Sequence, residues 1–158
     1  MNKRIFIISF FVLLVDIISK RLVVNFMSEF ESISIIDKFF SLTYVKNTGV
    51  AFSMIEGNVS LIVVITSVIL FMLFKYIKDN SVSKIEVIGY SMVIGGAIGN
   101  LIDRVVLGYV IDFLEFNFWG YGFPVFNLAD TFIVIGVMIL ILFGRNGEDN
   151  EVSSRKKS

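Results

Sequence analysis

Residues Val59 to Phe74 read VSLIVVITSVILFMLF, without a charged side chain. Continued to Ile77, the run has the length of about 20 residues that a helix needs to cross a bilayer core. Three further runs flank it in the chain. Ile5 to Val24 is apolar apart from Asp16, Lys20 and Arg21. Val87 to Leu101 is uncharged, with Glu86 before it and Asp103 after it, and Val125 to Phe143 carries Asp130 as its one charge. The expected fold class is therefore an all-α integral membrane protein. Four transmembrane helices lie at about 5–24, 59–77, 86–103 and 125–143, in one domain over 1–158.

Composition agrees with that expectation and narrows the chemistry. Hydrophobic residues make up 56% of the chain and mean hydropathy is +0.83, well above a soluble domain. Formal net charge is zero, so nothing draws the chain toward nucleic acid. There is no Cys, hence no disulfide and no thiol nucleophile. There is no His, which removes a Ser-His-Asp triad, a Cys-His pair and ordinary zinc ligation. Acid-base chemistry has to come from Asp, Glu, Lys or Tyr, and no metal or cofactor is expected.

Lys3 and Arg4 before an apolar run resemble the start of a cleavable signal peptide, but Asp16, Lys20 and Arg21 follow and no small-x-small cleavage site does. The first span is read as a retained helix. Lys3, Arg4, Lys75, Lys78, Lys84, Arg145, Arg155, Lys156 and Lys157 fall on one side of the four spans, and Lys38 and Lys46 on the other. Positive charge accumulates on the cytoplasmic side, so both termini are expected there. The polar tail 144–158 is expected to be disordered.

Two segments then face outward, 28–58 and 106–124. In the first, Phe40, Leu42 and Tyr44 alternate with Ser41, Thr43 and Val45, a strand pattern, and Asn47-Thr48-Gly49 supplies a turn. The second is rich in aromatic residues, from Phe113 through Trp119 to Phe123, and suits the headgroup interface.

Charges inside membrane spans are costly and mark candidate sites. Asp16 and Lys20 share a helix face in the favourable acid-before-base order, which serves helix docking as well as chemistry. Gly95 and Gly99 allow a second helix to approach closely. Asn100, Asp103 and Arg104 follow on one face. Asp103 and Arg104 are expected to form a fixed pair, although Arg104 could equally hold a substrate carbonyl. Asn127 and Asp130 have the spacing of a helix cap. Asp112 sits in the apolar stretch Gly108-Tyr109-Val110-Ile111-Asp112-Phe113-Leu114, with no local cation or cap to explain it. Two carboxylates held close at low dielectric cannot both ionise, and one acid beside one base is what peptide hydrolysis by an activated water requires.

Five motifs now stand in order: Asp16-Ile17-Ile18-Ser19-Lys20, Asn47-Thr48-Gly49-Val50-Ala51-Phe52-Ser53, Gly99-Asn100-Leu101-Ile102-Asp103-Arg104, Gly108-Tyr109-Val110-Ile111-Asp112-Phe113 and Phe126-Asn127-Leu128-Ala129-Asp130. Together they resemble the successive motifs of bacterial lipoprotein signal peptidase, the type II signal peptidase, with Ser19 and Val50 as mild variants. The resemblance implies an aspartic endopeptidase of the bacterial plasma membrane, with its site near the outer surface. It would cut a prolipoprotein just before its diacylglyceryl-modified cysteine. It implies Asp112 and Asp130 as the catalytic dyad, and Asp16, Lys20, Asn47, Gly49, Asn100, Asp103, Arg104, Asn127 and Ala129 as residues that line or brace the site. It also implies a small extracytoplasmic β-sheet, matching the strand pattern in 28–58, contact with membrane lipid, and binding of the cyclic peptide globomycin. Without the resemblance, a small proton-coupled transporter or channel fits the intramembrane charges as well. A non-catalytic membrane scaffold leaves Asp112 unexplained.

Overall fold

The computed structural model describes residues 3–49, 58–118 and 120–144, and all structural statements refer to these. Helix α1 is Lys3–Phe26, α2 Val59–Asp79, α3 Lys84–Leu107 and α4 Leu128–Phe143. Strands β1 (Ser32–Ile36), β2 (Phe40–Asn47), β3 (Val110–Phe118) and β4 (Tyr121–Gly122) form one antiparallel sheet in that order. Of the described helices, α2 and α3 are long and apolar enough to cross a membrane. The 24-residue α1 is interrupted by its charges, and α4 has 16 residues. The expected tail beyond Gly144 lies outside the described residues.

The helix ends follow from local chemistry. Asn58 caps α2 by accepting the Leu61 N–H. Ser83 and Glu86 cap α3 reciprocally, Glu86 taking the Ser83 N–H at 2.7 Å and Ser83 the Glu86 N–H at 3.3 Å. At the far end Gly108 adopts φ 81°, a left-handed conformation that costs glycine little and turns the chain straight into β3.

Helix α3 is the centre of the bundle, and its glycines divide between two neighbours. Gly95 faces α1, where a Cβ would lie 2.7 Å from both the Ser9 carbonyl and the Val12 side chain. On the other side Gly89 meets Gly136 of α4, whose own Cβ would lie 2.7 Å from the Gly89 carbonyl. Both crossings bring backbones together more closely than any side chain permits, and so hold three helices in fixed register around the polar groups they carry. Outward side chains such as Val64, Val68 and Phe71 of α2 and Val134 and Ile141 of α4 are apolar and exposed.

The sheet sits on the end of this bundle. Val23 and Met27 of α1 pack beneath Tyr44, Ile111 and Phe113. The strand expected at 40–45 is found as β2. Segment 106–124 differs from expectation: it is not only an aromatic surface segment but contains a nine-residue strand that pairs along β2, from Phe40↔Phe116 to Asn47↔Val110. Many of its rings pack on other rings. Phe116 lies 5.8 Å from Phe126, 5.6 Å from Phe39 and 4.8 Å from Phe40, centre to centre. The neighbouring chain just before α4 is hydrogen-bonded to β3, with Phe113 and Leu114 N–H donating to the Phe126 carbonyl at 2.9 and 2.7 Å. Sheet and α4 are thereby joined at the point where Asp112 and Asp130 emerge.

Candidate active site

Asp112 projects from β3, two residues after the strand begins, and is 2% exposed. Asp130 lies in the first turn of α4, where Asn127 accepts its N–H at 2.9 Å and Asp130 takes the Asn127 N–H in return at 3.3 Å. The cap predicted from spacing is real, and it does not compete with a role in the site. One Asp130 oxygen serves the cap and the other accepts from Asn100 at 2.8 Å.

Three asparagines hold the two carboxylates. Asn47, at the end of β2, donates to Asp112 Oδ2 at 2.7 Å, and its own oxygen takes the Gly49 N–H at 2.9 Å. Asn127 donates to Asp112 Oδ1 at 2.6 Å and to Asn100 Oδ1 at 3.1 Å. Asn100 donates to Asp130. Each asparagine thus turns its NH2 toward an aspartate. Burial in this apolar surround pushes the Asp112 carboxyl up to about 7; the charge of Asp130 adds to the effect, and the Asn47 and Asn127 bonds oppose it.

Behind the asparagines lies a buried charge cluster. The Lys20 ammonium forms ion pairs with Asp16 Oδ2 at 2.8 Å and Asp103 Oδ2 at 2.9 Å, and donates a hydrogen bond to Asn100 Oδ1 at 2.8 Å. Asp16, fully buried, uses its second oxygen to accept the Ala129 N–H at 3.0 Å. Ala129 is itself fully buried, and its carbonyl lies so close to Gly96 of α3 that a Cβ on Gly96 would stand 2.5 Å from it. The expected Asp16–Lys20 pair is present. The expected Asp103–Arg104 pair is not: Asp103 turns to Lys20, while Arg104 turns to the Gly49 carbonyl at 2.9 Å. Adjacent helical residues project about 100° apart, so one reaches α1 and the other the turn after β2. Every residue expected in the site converges on it. Positions Val50 to Ser53 of the second motif lie outside the described residues.

Asp112 and Asp130 open onto a groove of about 820 Å³. Asn47, Thr48, Gly49 and Arg104 make its polar wall, and Phe123 to Phe126 with Thr131, Val134 and Ile135 of α4 its apolar wall. The apolar wall was not legible as part of a site. The only signal for it is that Thr131 and Val134 follow Asp130 by one and four positions on the same helix. The groove therefore joins the two carboxylates to an apolar wall on α4.

Residues 8–144 match a family model described as signal peptidase (SPase) II. The chain is 44% identical to the lipoprotein signal peptidase of Halothermothrix orenii over 139 residues, which cover 88% of this chain and 93% of that one. It is 35% identical to the lipoprotein signal peptidase of Staphylococcus aureus (strain MRSA252) over 148 residues, covering 90% and 91%. Two solved structures described as bacterial membrane enzymes superpose with TM-scores of 0.83 and 0.80, each at 33% identity. They cover 92% and 90% of this chain, and 90% and 93% of their own.

Proposed function

From the membership of this chain in the signal peptidase II family, a family of membrane peptidases that process lipoprotein precursors, we infer that it cuts its substrate as an aspartic endopeptidase through Asp112 and Asp130. The observation that carries this reading is a buried and a half-buried carboxylate at one groove, each held by asparagine amides, in a chain without His or Cys. No finding supports the transporter alternative. The ionised member takes a proton from a water whose oxygen attacks the scissile carbonyl carbon. The protonated member gives its proton to the carbonyl oxygen. The tetrahedral intermediate then collapses, the C–N bond breaks and the leaving amine is protonated. Asp112 is the member that keeps the proton at rest. Asp130 stands at a helix N-terminus, which favours negative charge, whereas Asp112 has no such support. Arg104 borders the groove as a donor for a carbonyl of the substrate.

The apolar wall on α4 suits the lipid and apolar helix of a diacylglyceryl-modified precursor, and the same groove is the site for globomycin. The direct test is to mix purified protein with a lipidated and an unlipidated precursor and identify products by mass. Cleavage before the lipidated cysteine alone is expected; equal cleavage of the unlipidated precursor removes the lipid from substrate recognition.

The pH dependence follows from Asp112. Its folded-state value, about 7, lies above the ordinary 3.8. The folded protein therefore holds a proton that the unfolded chain releases between these values, so stability falls as pH rises from about 4 to about 7, by up to about 1.4 kcal/mol per pH unit. Activity, as kcat/KM, declines above about pH 7 as the acid is lost. Melting curves from pH 5 to 8 are expected to show the parent losing stability with rising pH and Asp112→Asn losing much less; parallel curves contradict the assignment.

Four membrane crossings with both termini cytoplasmic place the sheet and groove at the outer surface. With single cysteines introduced at Ser34 or Ser81, an impermeant thiol reagent on intact cells should label position 34 and spare position 81. The opposite pattern inverts the topology.

A further inference from the structure

An asparagine amide has a donor end and an acceptor end of nearly equal shape, so its neighbours decide which way it points. Each of the three asparagines at the aspartates is pinned at its oxygen. For Asn47 the pin is the Gly49 backbone N–H, and for Asn127 it is the Asp130 backbone N–H. For Asn100 it is a side chain from another helix, Lys20. An ammonium can only donate, so the end of Asn100 that meets it must be oxygen, and the NH2 is left facing Asp130. The second donor at that oxygen, Asn127 Nδ2, is longer at 3.1 Å and uncharged. Charge-assisted bonds are roughly twice as strong as neutral ones, so Lys20 dominates the orientation.

We propose that Lys20 is a positioning residue for the reaction, fixing Asn100 so that its N–H and not its oxygen faces Asp130. Lys20 bonds to neither member of the dyad. The charged groups around it are Asp16 on its own helix and Asp103 on α3, with Arg104, Asp112 and Asp130 beyond. Released from Lys20, the amide is held at its oxygen only by the longer Asn127 contact and can turn over, offering Asp130 an oxygen to which a protonated acid donates and a carboxylate cannot. The base form of the dyad is lost while the groove stays intact.

The proposal rests on Asp112 and Asp130 being the catalytic pair, and cleavage of a lipidated precursor by the parent checks that separately. The test is a cycle in which Lys20→Met/Asp103→Asn is placed in the parent and in Asn100→Ala. One cation and one anion leave together, so the net charge of the cluster is unchanged and a field effect on the dyad is suppressed. In the parent, kcat per folded molecule is expected to fall by about 100-fold with KM within about 3-fold, the size of effect seen when a preorganised donor is lost. The acid limb of the kcat profile moves to higher pH. In the Asn100→Ala background the same change costs less than about 3-fold, because groups acting as a unit are not additive. Equal losses in both backgrounds overturn the proposal, since Lys20 then acts through packing or charge rather than through Asn100. Where melting shows that this protein does not fold, Lys20→Arg carries the same cycle. Its wide planar head keeps Asp16 and Asp103 paired but cannot set a donor at the same point on Asn100. Equal factors in the two backgrounds again overturn the proposal.

Discussion

Asp112→Asn and Asp130→Asn are each expected to abolish cleavage, lowering kcat by on the order of 10⁴-fold or more. Asparagine keeps the size of aspartate but can neither take the proton from water nor return one to the substrate. Asn47 and Asn127 donate to the two oxygens of Asp112, and at position 112 one of those bonds meets an NH2 instead of an acceptor. Folding should survive, since a carboxyl that burial has pushed up to about 7 is close to neutral already. Precursor or globomycin should still bind and raise the melting temperature, which separates lost chemistry from a lost groove. On the proposal that the two residues share one proton, Asp112→Asn/Asp130→Asn should be no more than a few-fold worse than either single variant. Chelators should leave the parent unchanged. Substantial turnover by a folded Asp112→Asn protein, or loss of activity in EDTA reversed by a divalent ion, would refute the two-carboxylate mechanism.

Gly99→Ala should be strongly damaging for a change of a single methyl group. A Cβ at Gly99 would overlap the Asp16 carboxylate itself, at Oδ2, with Cγ at 3.2 Å. That carboxylate balances Lys20 and accepts the Ala129 N–H. Neither partner can follow it, because Lys20 is held by Asp103 and Asn100, and Ala129 is pressed against α3. Leaving one partner of a buried pair uncompensated costs roughly 3–5 kcal/mol. Gly108→Ala provides the comparison. Its φ of 81° penalises a side chain, yet a Cβ there meets nothing within 4 Å, so its cost is about 1–2 kcal/mol. Thermal melting of both variants in the same detergent should place Gly99→Ala well below Gly108→Ala. The reverse order would mean that the Asp16–Lys20 contact contributes little.

The helices were legible in the sequence because a bilayer imposes length and polarity on each segment separately. Val59–Phe74 needs no partner to be apolar, Asn127 and Asp130 cap α4 from three residues apart, and Phe40 to Val45 alternate on their own. The candidate dyad was also legible, since Asp112 in an apolar stretch is conspicuous in a chain without His or Cys.

Segment 110–118 was read for its rings rather than as a strand, because its pairing partner lies about 70 residues earlier and few of its own residues alternate in polarity. Asp103 and Arg104 looked like partners because they are adjacent. Only the packing of α3 against α1 on one side and the turn after β2 on the other sends them apart.

By itself the sequence determined which residues carry charge into the apolar runs and which runs become helices, since both depend on side-chain chemistry over a few neighbouring positions. The tertiary structure alone decided how those charges are used. Lys20 meets Asn100 across 80 positions and Asn47 meets Asp112 across 65, and an amide takes its direction only from whatever donor is brought to it.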